Sequence, residues 1–201
     1  MEVKTITVIG AGPMGRGIAC VSAQGGYRTI LEDVSANILE QALDWIRQNL
    51  EEGVVREKLS AEQRDAAIGL IRTSRSVDES IREADLVIEA VTDEMETKLE
   101  IFTLLDKFAR PGAILASTTS SLSVSEIATI TFRAEHCVGM RFFIPVPNSK
   151  LLEVVRALET SDQTIFDCTE VGQRMGKEVV VVTELPDLSR AASTPASTST
   201  P

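Results

Sequence analysis

Residues 6–15 read Ile6-Thr7-Val8-Ile9-Gly10-Ala11-Gly12-Pro13-Met14-Gly15, and this stretch decides the fold. A short apolar strand runs into the spacing G-x-G-x-x-G, and a helical pattern follows. In this arrangement Gly10 makes a tight turn, Gly12 lets the backbone approach a pyrophosphate, and Gly15 lets the helix pack closely on the strand. The free N–H groups at the start of the helix then hold phosphates. The predicted cofactor-binding residues of this loop are Gly10, Ala11, Gly12, Pro13, Met14 and Gly15.

An acidic residue stands where a dinucleotide-binding fold needs one. Asp33 ends a second apolar strand and follows Gly12 by about 20 residues, the usual spacing. A carboxylate there accepts the ribose 2′-OH of NAD and repels the 2′-phosphate of NADP. No Arg or Lys is adjacent to Asp33 to bind that phosphate. The predicted cofactor is therefore NAD, and the alternative is a glycine-rich turn of some other α/β protein.

Composition limits the function classes. The 201 residues are 43% hydrophobic and 25% charged, which is enough for one well-buried α/β domain. A formal net charge of −10 argues against nucleic-acid binding. The first residues run straight into a strand and no apolar run is long enough to span a membrane, so we expect neither a signal peptide nor a membrane anchor. The three cysteines lack metal-like or paired spacing and indicate a reducing, cytoplasmic setting.

Strand and helix signals alternate along the chain. This alternation predicts a Rossmann-type, doubly wound α/β fold, with a mostly parallel sheet and helices on both faces. A charged stretch, 54–68, is predicted to be helical, and the last strands are candidates for antiparallel pairing. The predicted strands are 28–32, 70–73, 85–91, 113–116, 137–144, 151–156 and 178–182. The predicted helices are 13–24, 35–51, 95–108 and 162–175, with a further helix opened by a capping box at Ser123–Glu126.

The chain divides into two predicted segments. Residues 1–186 form one NAD-binding domain. Residues 187–201 are rich in Ser, Thr, Pro and Ala, have little to bury, and are expected to be a disordered tail.

Four stretches together resemble one family. They are Gly10–Ala19 (GAGPMGRGIA), Ala84–Val91 (ADLVIEAV), Ser117–Ser121 (STTSS) and Gly139–Val155 (GMRFFIPVPNSKLLEVV). This combination resembles the NAD-binding domain of L-3-hydroxyacyl-CoA dehydrogenases over about residues 3–186. The FF-x-PVP segment followed by K-L-x-E-V-V is far more specific than the glycine pattern.

The resemblance implies a reaction and a partner. The family oxidises the 3-hydroxyl of an acyl-CoA to a ketone and transfers a hydride to NAD, so an acyl-CoA is the expected substrate. The family also has a helical C-terminal domain that closes over the substrate and makes the dimer. That domain would follow near residue 187, and the oligomeric state of this chain is therefore left open.

The resemblance also assigns catalytic positions, and the chain departs from the pattern at two of them. In the family a His in G-x-HFFNP is the base and a Glu twelve residues later orients it. The Glu is Glu153, but Arg141 stands in place of the His and Ile144 in place of the Asn. Arg stays protonated and cannot accept the hydroxyl proton, although it can donate to a ketone oxygen. The alternative is that Arg141 and Glu153 form a structural ion pair.

Three further positions are implied by the resemblance. Ser120 matches the family serine that touches the substrate hydroxyl and the cofactor region; its alternative is to satisfy the N–H groups of a turn. Asp93 and Lys98 match cofactor-contacting positions; their alternative is a solvated helix start. The predicted catalytic residues are therefore Ser120, Arg141 and Glu153. Two rival functions remain: a catalytically silent NAD-binding homologue, and a related dehydrogenase acting on a small hydroxy acid held by Arg141.

Overall fold

The computed structural model describes residues 2–184, and the predicted tail 187–201 lies outside them. The chain alternates between strands and helices as the sequence predicts. The strands are β1 (Thr5–Ile9), β2 (Arg28–Glu32), β3 (Ile71–Ser74), β4 (Leu86–Glu89), β5 (Ile114–Ser117), β6 (Cys137–Phe142), β7 (Leu151–Arg156) and β8 (Glu178–Thr183). The helices are α1 (Pro13–Gln24), α2 (Ala36–Val55), α3 (Ala61–Gly69), α4 (Val77–Ile81), α5 (Met95–Phe108), α6 (Val124–Ala128) and α7 (Asp162–Arg174).

The eight strands form one sheet in the order β3-β2-β1-β4-β5-β6-β7-β8. Every neighbouring pair is parallel except β6 with β7, which is antiparallel. The chain order reverses between β1 and β4, and in open α/β sheets the crevice at the carboxyl ends of such strands is where ligands bind. The predicted α/β fold with a mostly parallel sheet is confirmed.

Apolar cores lie on both faces of the sheet. One contains the buried residues of α1 and α2, including Ile18 and Ile46, packed on Val8 and Leu31. The other contains buried residues of α4 and α5, including Phe102, packed on Ile9 and Val87. Because successive strand residues point to opposite faces, the continuous apolar strands of the sequence supply both cores.

The structure refines several predicted boundaries. The helical stretch 54–68 is divided, because α2 continues to Val55 and α3 begins only at Ala61 with a Ser60 capping box. The short helix α4 is absent from the sequence prediction, since its five residues give no resolvable apolar stripe. Antiparallel pairing of the late strands is confirmed for β6 and β7, whereas β8 lies parallel to β7.

All three cysteines are buried and unpaired, as predicted. Among the residues that the structure describes, no cluster of His, Cys, Asp and Glu side chains is arranged to hold a metal ion. Within 2–184, none of the helices combines the length and apolar character needed to cross a bilayer.

Candidate active site and cofactor crevice

The glycine-rich loop connects β1 to α1 at the edge of the crevice. Gly10 has a φ of 93° and its N–H donates to the Glu32 carbonyl at 2.8 Å; a Cβ there would lie 2.9 Å from the Ala90 oxygen. A Cβ on Gly15 would lie 1.7 Å from the Gly10 oxygen. The protein's own packing therefore requires these two glycines.

Gly12 is different. It has extended backbone as the N-cap of α1, and a Cβ added to it would meet nothing within 4 Å. None of residues 2–184 fills the space beside this glycine, which lies at the N-terminus of a twelve-residue helix that begins with Pro13. A helix N-terminus with open space before it suits a pyrophosphate. The residues present therefore fit the dinucleotide that the sequence predicts.

Asp33 is fixed by the same loop. One carboxylate oxygen accepts from the Ala11 N–H at 3.0 Å and the other from the Ser35 N–H at 2.9 Å. Each oxygen retains a further lone pair, which can accept from a ribose hydroxyl. The structure therefore places Asp33 directly beside the Gly10–Gly15 loop, where the sequence predicts a ribose-binding carboxylate.

Glu32, which the sequence analysis did not single out, is a second acid at this edge of the sheet. Its side chain is buried at the end of β2, and Oε1 has no hydrogen-bond partner among residues 2–184. Burial, with a smaller contribution from the charge of Asp33, raises the pKa of Glu32 from its ordinary 4.5 to about 7. The signal in the sequence is a carboxylate that directly follows the apolar residues Ile30 and Leu31 at the end of β2.

A buried ionic network lies beneath the crevice, between β4 and α5. The Lys98 ammonium donates to both oxygens of Glu89, at 2.8 and 2.9 Å, and both side chains are fully buried. Ser117 donates to Glu89 at 2.7 Å, and Asp93 lies 3.5 Å from Lys98. Lys98, which is predicted to contact the cofactor, thus reaches the crevice through Asp93. The prediction of a solvated helix start does not hold for this lysine.

Asp93 joins this network to the loop after β5. Its carboxylate accepts from the Ser121 hydroxyl at 2.9 Å. Burial raises the pKa of Asp93, but hydrogen bonds from Thr119 and Ser121 and the Lys98 charge together hold it below its usual value. Asp93 is therefore an anion at the crevice edge.

Ser120 lies exposed in this loop. The turn is closed by Thr119, whose hydroxyl accepts from the N–H groups of Ser121 (3.4 Å) and Leu122 (2.9 Å). Within the described chain the Ser120 hydroxyl makes no hydrogen bond. Thr119 thus performs the turn-closing role considered for Ser120, and the Ser120 hydroxyl is left available for a ligand.

Arg141 and Glu153 are paired across β6 and β7. They are direct neighbours in the antiparallel register, and the Arg141 Nη1 lies 3.7 Å from the Glu153 Oε2. The Arg141 Nε–H donates to the Thr119 carbonyl at 3.0 Å, which places the guanidinium beside Ser120. Arg141 thus contacts both Glu153 and the loop after β5 that contains Ser120, and Asp93 contacts the same loop through Ser121.

This geometry can be compared with known proteins. The profile described as 3-hydroxyacyl-CoA dehydrogenase, NAD binding domain, matches residues 5–185. The chain belongs to this family. The probable 3-hydroxybutyryl-CoA dehydrogenase of Bacillus subtilis is 39% identical over 92% of the chain and 64% of its own length. The mitochondrial hydroxyacyl-coenzyme A dehydrogenase of Homo sapiens is 37% identical over 92% of the chain and 60% of its own length.

Solved structures of 3-hydroxyacyl-CoA dehydrogenases agree with the fold. The (S)-3-hydroxybutyryl-CoA dehydrogenase of Ralstonia eutropha superposes with a TM-score of 0.88 at 33% identity, over 92% of this chain and 65% of that one. The 3-hydroxybutyryl-CoA dehydrogenase of Escherichia coli superposes with a TM-score of 0.89 at 35% identity, over 92% of this chain and 39% of that one. The chain spans less than two thirds of the length of these relatives. It is an NAD-binding domain of the 3-hydroxyacyl-CoA dehydrogenase type.

Proposed function

We propose that this chain interconverts 3-hydroxyacyl-CoA and 3-oxoacyl-CoA in fatty-acid metabolism, with NAD as the cofactor. The observation that supports the proposal is the Arg141–Glu153 pair, which the Thr119 carbonyl ties to the loop that contains Ser120. Gly12, the N-terminus of α1 and Asp33 would hold NAD, which when bound accepts or donates a hydride. The relatives named above as hydroxyacyl-CoA dehydrogenases support the substrate class.

The residue at 141 determines how the site handles the proton of the hydroxyl group. Alcohol oxidation needs a group that removes the hydroxyl proton, and a guanidinium stays protonated. The chain's one histidine, His136, precedes β6 and lies 3.7 Å from Glu135. Ketone reduction instead needs stabilisation of negative charge on the oxygen, which the Arg141 N–H groups supply, and the proton then comes from water. We therefore propose that Arg141 stabilises the oxyanion formed in either direction, and that water rather than a side chain exchanges the proton.

A second feature supports acyl-CoA as the substrate. A cleft of about 200 Å³ lies between the α2–α3 hairpin and the loop after β6; its lining includes Arg56, Lys58, Pro147 and Asn148. Arg56 pairs with Glu52 at 3.0 Å, whereas Lys58 forms no ion pair with any of residues 2–184. In an acidic chain this local positive charge suits the phosphates of a CoA moiety.

The Arg141–Glu153 pair also favours a second candidate, a silent NAD-binding homologue. A guanidinium held by Thr119 and Glu153 satisfies a purely structural role as well. The buried free cysteines fit a cytoplasmic setting for either function.

Single-turnover kinetics distinguish the two candidates. Acetoacetyl-CoA is mixed with chain and NADH, and 3-hydroxybutyryl-CoA with chain and NAD, while nicotinamide absorbance is followed. We expect the nicotinamide absorbance to change faster than background in both directions. Background rates in both directions, with NAD still bound by calorimetry, would establish the silent homologue. The small hydroxy acid alternative predicts tighter binding of a free keto acid than of acetoacetyl-CoA.

A further inference from the structure

The loop that joins β6 to β7, residues 143–150, is held from beneath by a buried lysine. Lys177 precedes β8 and is 7% exposed. Its ammonium donates to the Val146 carbonyl at 2.5 Å and to the Ser149 carbonyl at 2.6 Å. One side chain thus fixes the loop at two points.

This placement is costly without a specific use. An ammonium is strongly disfavoured in a buried site unless its donors are satisfied. Lys177 pairs with no carboxylate among residues 2–184, and burial lowers its pKa below the ordinary value. The two loop carbonyls satisfy the buried ammonium, and without Lys177 these carbonyls would lack the donors.

The backbone at Lys177 is itself fixed by hydrogen bonds. Its backbone N–H donates to the Gly172 carbonyl at 3.0 Å, and the N–H of Glu178 donates to the Lys150 carbonyl at 2.7 Å. These bonds tie the start of β8 to α7 and to the end of the loop. The Lys177 ammonium is therefore a fixed point, to which the loop is attached.

The opposite side of the loop packs on α1. A Cβ added to Gly17 would lie 2.8 Å from the Val146 Cβ, so the loop fits against the helix that begins at the dinucleotide loop. Within the loop, the Pro145 carbonyl accepts from the N–H groups of Asn148 and Ser149, each at 3.0 Å. The loop is thus clamped between Gly17 and Lys177.

The clamped loop borders both parts of the proposed substrate site. Pro147 and Asn148 line the cleft that contains Lys58, and the loop connects the strands that carry Arg141 and Glu153. We propose that Lys177 is a positioning residue, which holds this loop against α1 and so fixes one wall of the acyl-CoA cleft and the alignment of the Arg141–Glu153 pair. This inference rests on the proposed function.

The test compares Lys177→Met with Lys150→Met, a matched change of an exposed lysine in the same loop. Hydrogen exchange reports on the loop, and calorimetry measures acetoacetyl-CoA and NAD affinity separately. In Lys177→Met we expect the Asn148 and Ser149 amides to exchange about tenfold faster or more. Acetoacetyl-CoA affinity should fall by roughly tenfold or more, because small displacements of a positioning wall are costly. The NAD affinity should change by less than about twofold, and Lys150→Met should behave as wild type.

A second variant disturbs the same loop from the other side. Gly17→Ala leaves Lys177 intact but places a methyl group against Val146, and we expect the same separation of acyl-CoA from NAD affinity. If Lys177→Met does not fold, the Gly17→Ala variant tests whether the position of this loop controls acyl-CoA affinity.

The outcomes distinguish the anchor, which is the attachment of the loop by Lys177, from the proposed acyl-CoA function. Unchanged exchange at Asn148 and Ser149 overturns the anchor itself. Faster exchange with unchanged acetoacetyl-CoA affinity reduces Lys177 to a structural residue and overturns its positioning role. A wild-type chain that binds no acyl-CoA overturns the proposed function, and the positioning role falls with it, even where the exchange data show the anchor.

Discussion

Arg141 and Glu153 face each other across the antiparallel strand pair β6–β7, with 3.7 Å between Nη1 and Oε2. At this separation the pair is not a tight bidentate ion pair, and the closer contact of Arg141 is its Nε–H donated to Thr119 at 3.0 Å. The carboxylate therefore orients the guanidinium from one side while the Thr119 carbonyl orients it from another. The remaining N–H groups of Arg141 form no hydrogen bond with the described part of the chain, so they can meet a ligand oxygen.

Restoring a titratable base at this position should restore alcohol oxidation. We expect Arg141→His combined with Ile144→Asn to raise the rate of 3-hydroxybutyryl-CoA oxidation by about 10²- to 10⁴-fold, since imidazole accepts the proton that guanidinium cannot. The rate should increase as the pH rises through about 6.5, where imidazole loses its proton.

The matched control is Arg72→His, which places a histidine on β3, far from the loop after β5 in the strand order. This control should not oxidise faster than wild type. No gain in the double variant, with NAD affinity intact, would contradict the assignment of Ser120 and Glu153 to the site.

Two glycines of the same loop should respond oppositely to alanine. A methyl group on Gly12 meets no atom of the described residues within 4 Å, so Gly12→Ala should unfold at the wild-type temperature yet bind NAD at least about tenfold more weakly. A methyl group on Gly15 would lie 1.7 Å from the Gly10 oxygen, so Gly15→Ala should be destabilised by several kcal/mol, about 2–4. Thermal melting and calorimetry on both variants measure the difference. A Gly12→Ala chain with full NAD affinity would show that the cofactor does not approach this glycine.

Glu32 should make stability fall as the pH rises. Its pKa is about 7 in the folded chain and near 4.5 when exposed, so the folded state binds the proton more tightly. The free energy of unfolding is therefore highest below pH 4.5 as far as this group is concerned, and it decreases between pH 4.5 and about 7. Glu32→Gln should remove this decrease and stabilise the chain at pH 8 by up to about 3 kcal/mol.

Urea unfolding of Glu32→Gln at several pH values measures this effect, with Glu40→Gln on the exposed face of α2 as the control. The two variants should differ most at pH 8 and least at pH 4.5. Equal stability of Glu32→Gln and wild type at pH 8 would mean that the Glu32 carboxylate finds a partner in solution.

Local patterns in the sequence account for much of the crevice and little of what supports it. The roles of Gly10, Gly15 and Asp33 follow from a strand, a turn and a helix start that are adjacent in the chain. Thr119 and Lys177 could not be found in this way, because their roles depend on contacts made by the folded chain. The Lys177 ammonium meets carbonyls 31 and 28 residues away, and no spacing rule connects them.

The same limit applies to the buried acid of β4. The sequence indicates that Glu89 needs a partner, since an unpaired carboxylate is rare in an apolar strand. The family resemblance also points to Lys98, but as a residue that contacts the cofactor. Only the packing of α5 on β4 shows that the two are each other's partners.

This pairing gives a double-mutant prediction. Lys98→Met leaves the buried Glu89 carboxylate without its ammonium, and we expect a loss of about 3–5 kcal/mol in the free energy of unfolding. Adding Glu89→Gln removes the charge and should recover much of that loss, since the Val91 N–H can still donate to the amide oxygen and the amide NH2 can donate to the Ser117 hydroxyl. The coupling energy from urea unfolding of both single variants and the double variant is the measurement. Additive losses would show that the ammonium and the carboxylate do not depend on each other.

NAD affinity, measured on the stable double variant, then decides whether Lys98 also contacts the cofactor. A loss of NAD affinity beyond about tenfold supports the contact, and a wild-type affinity assigns Lys98 to the support of β4 alone.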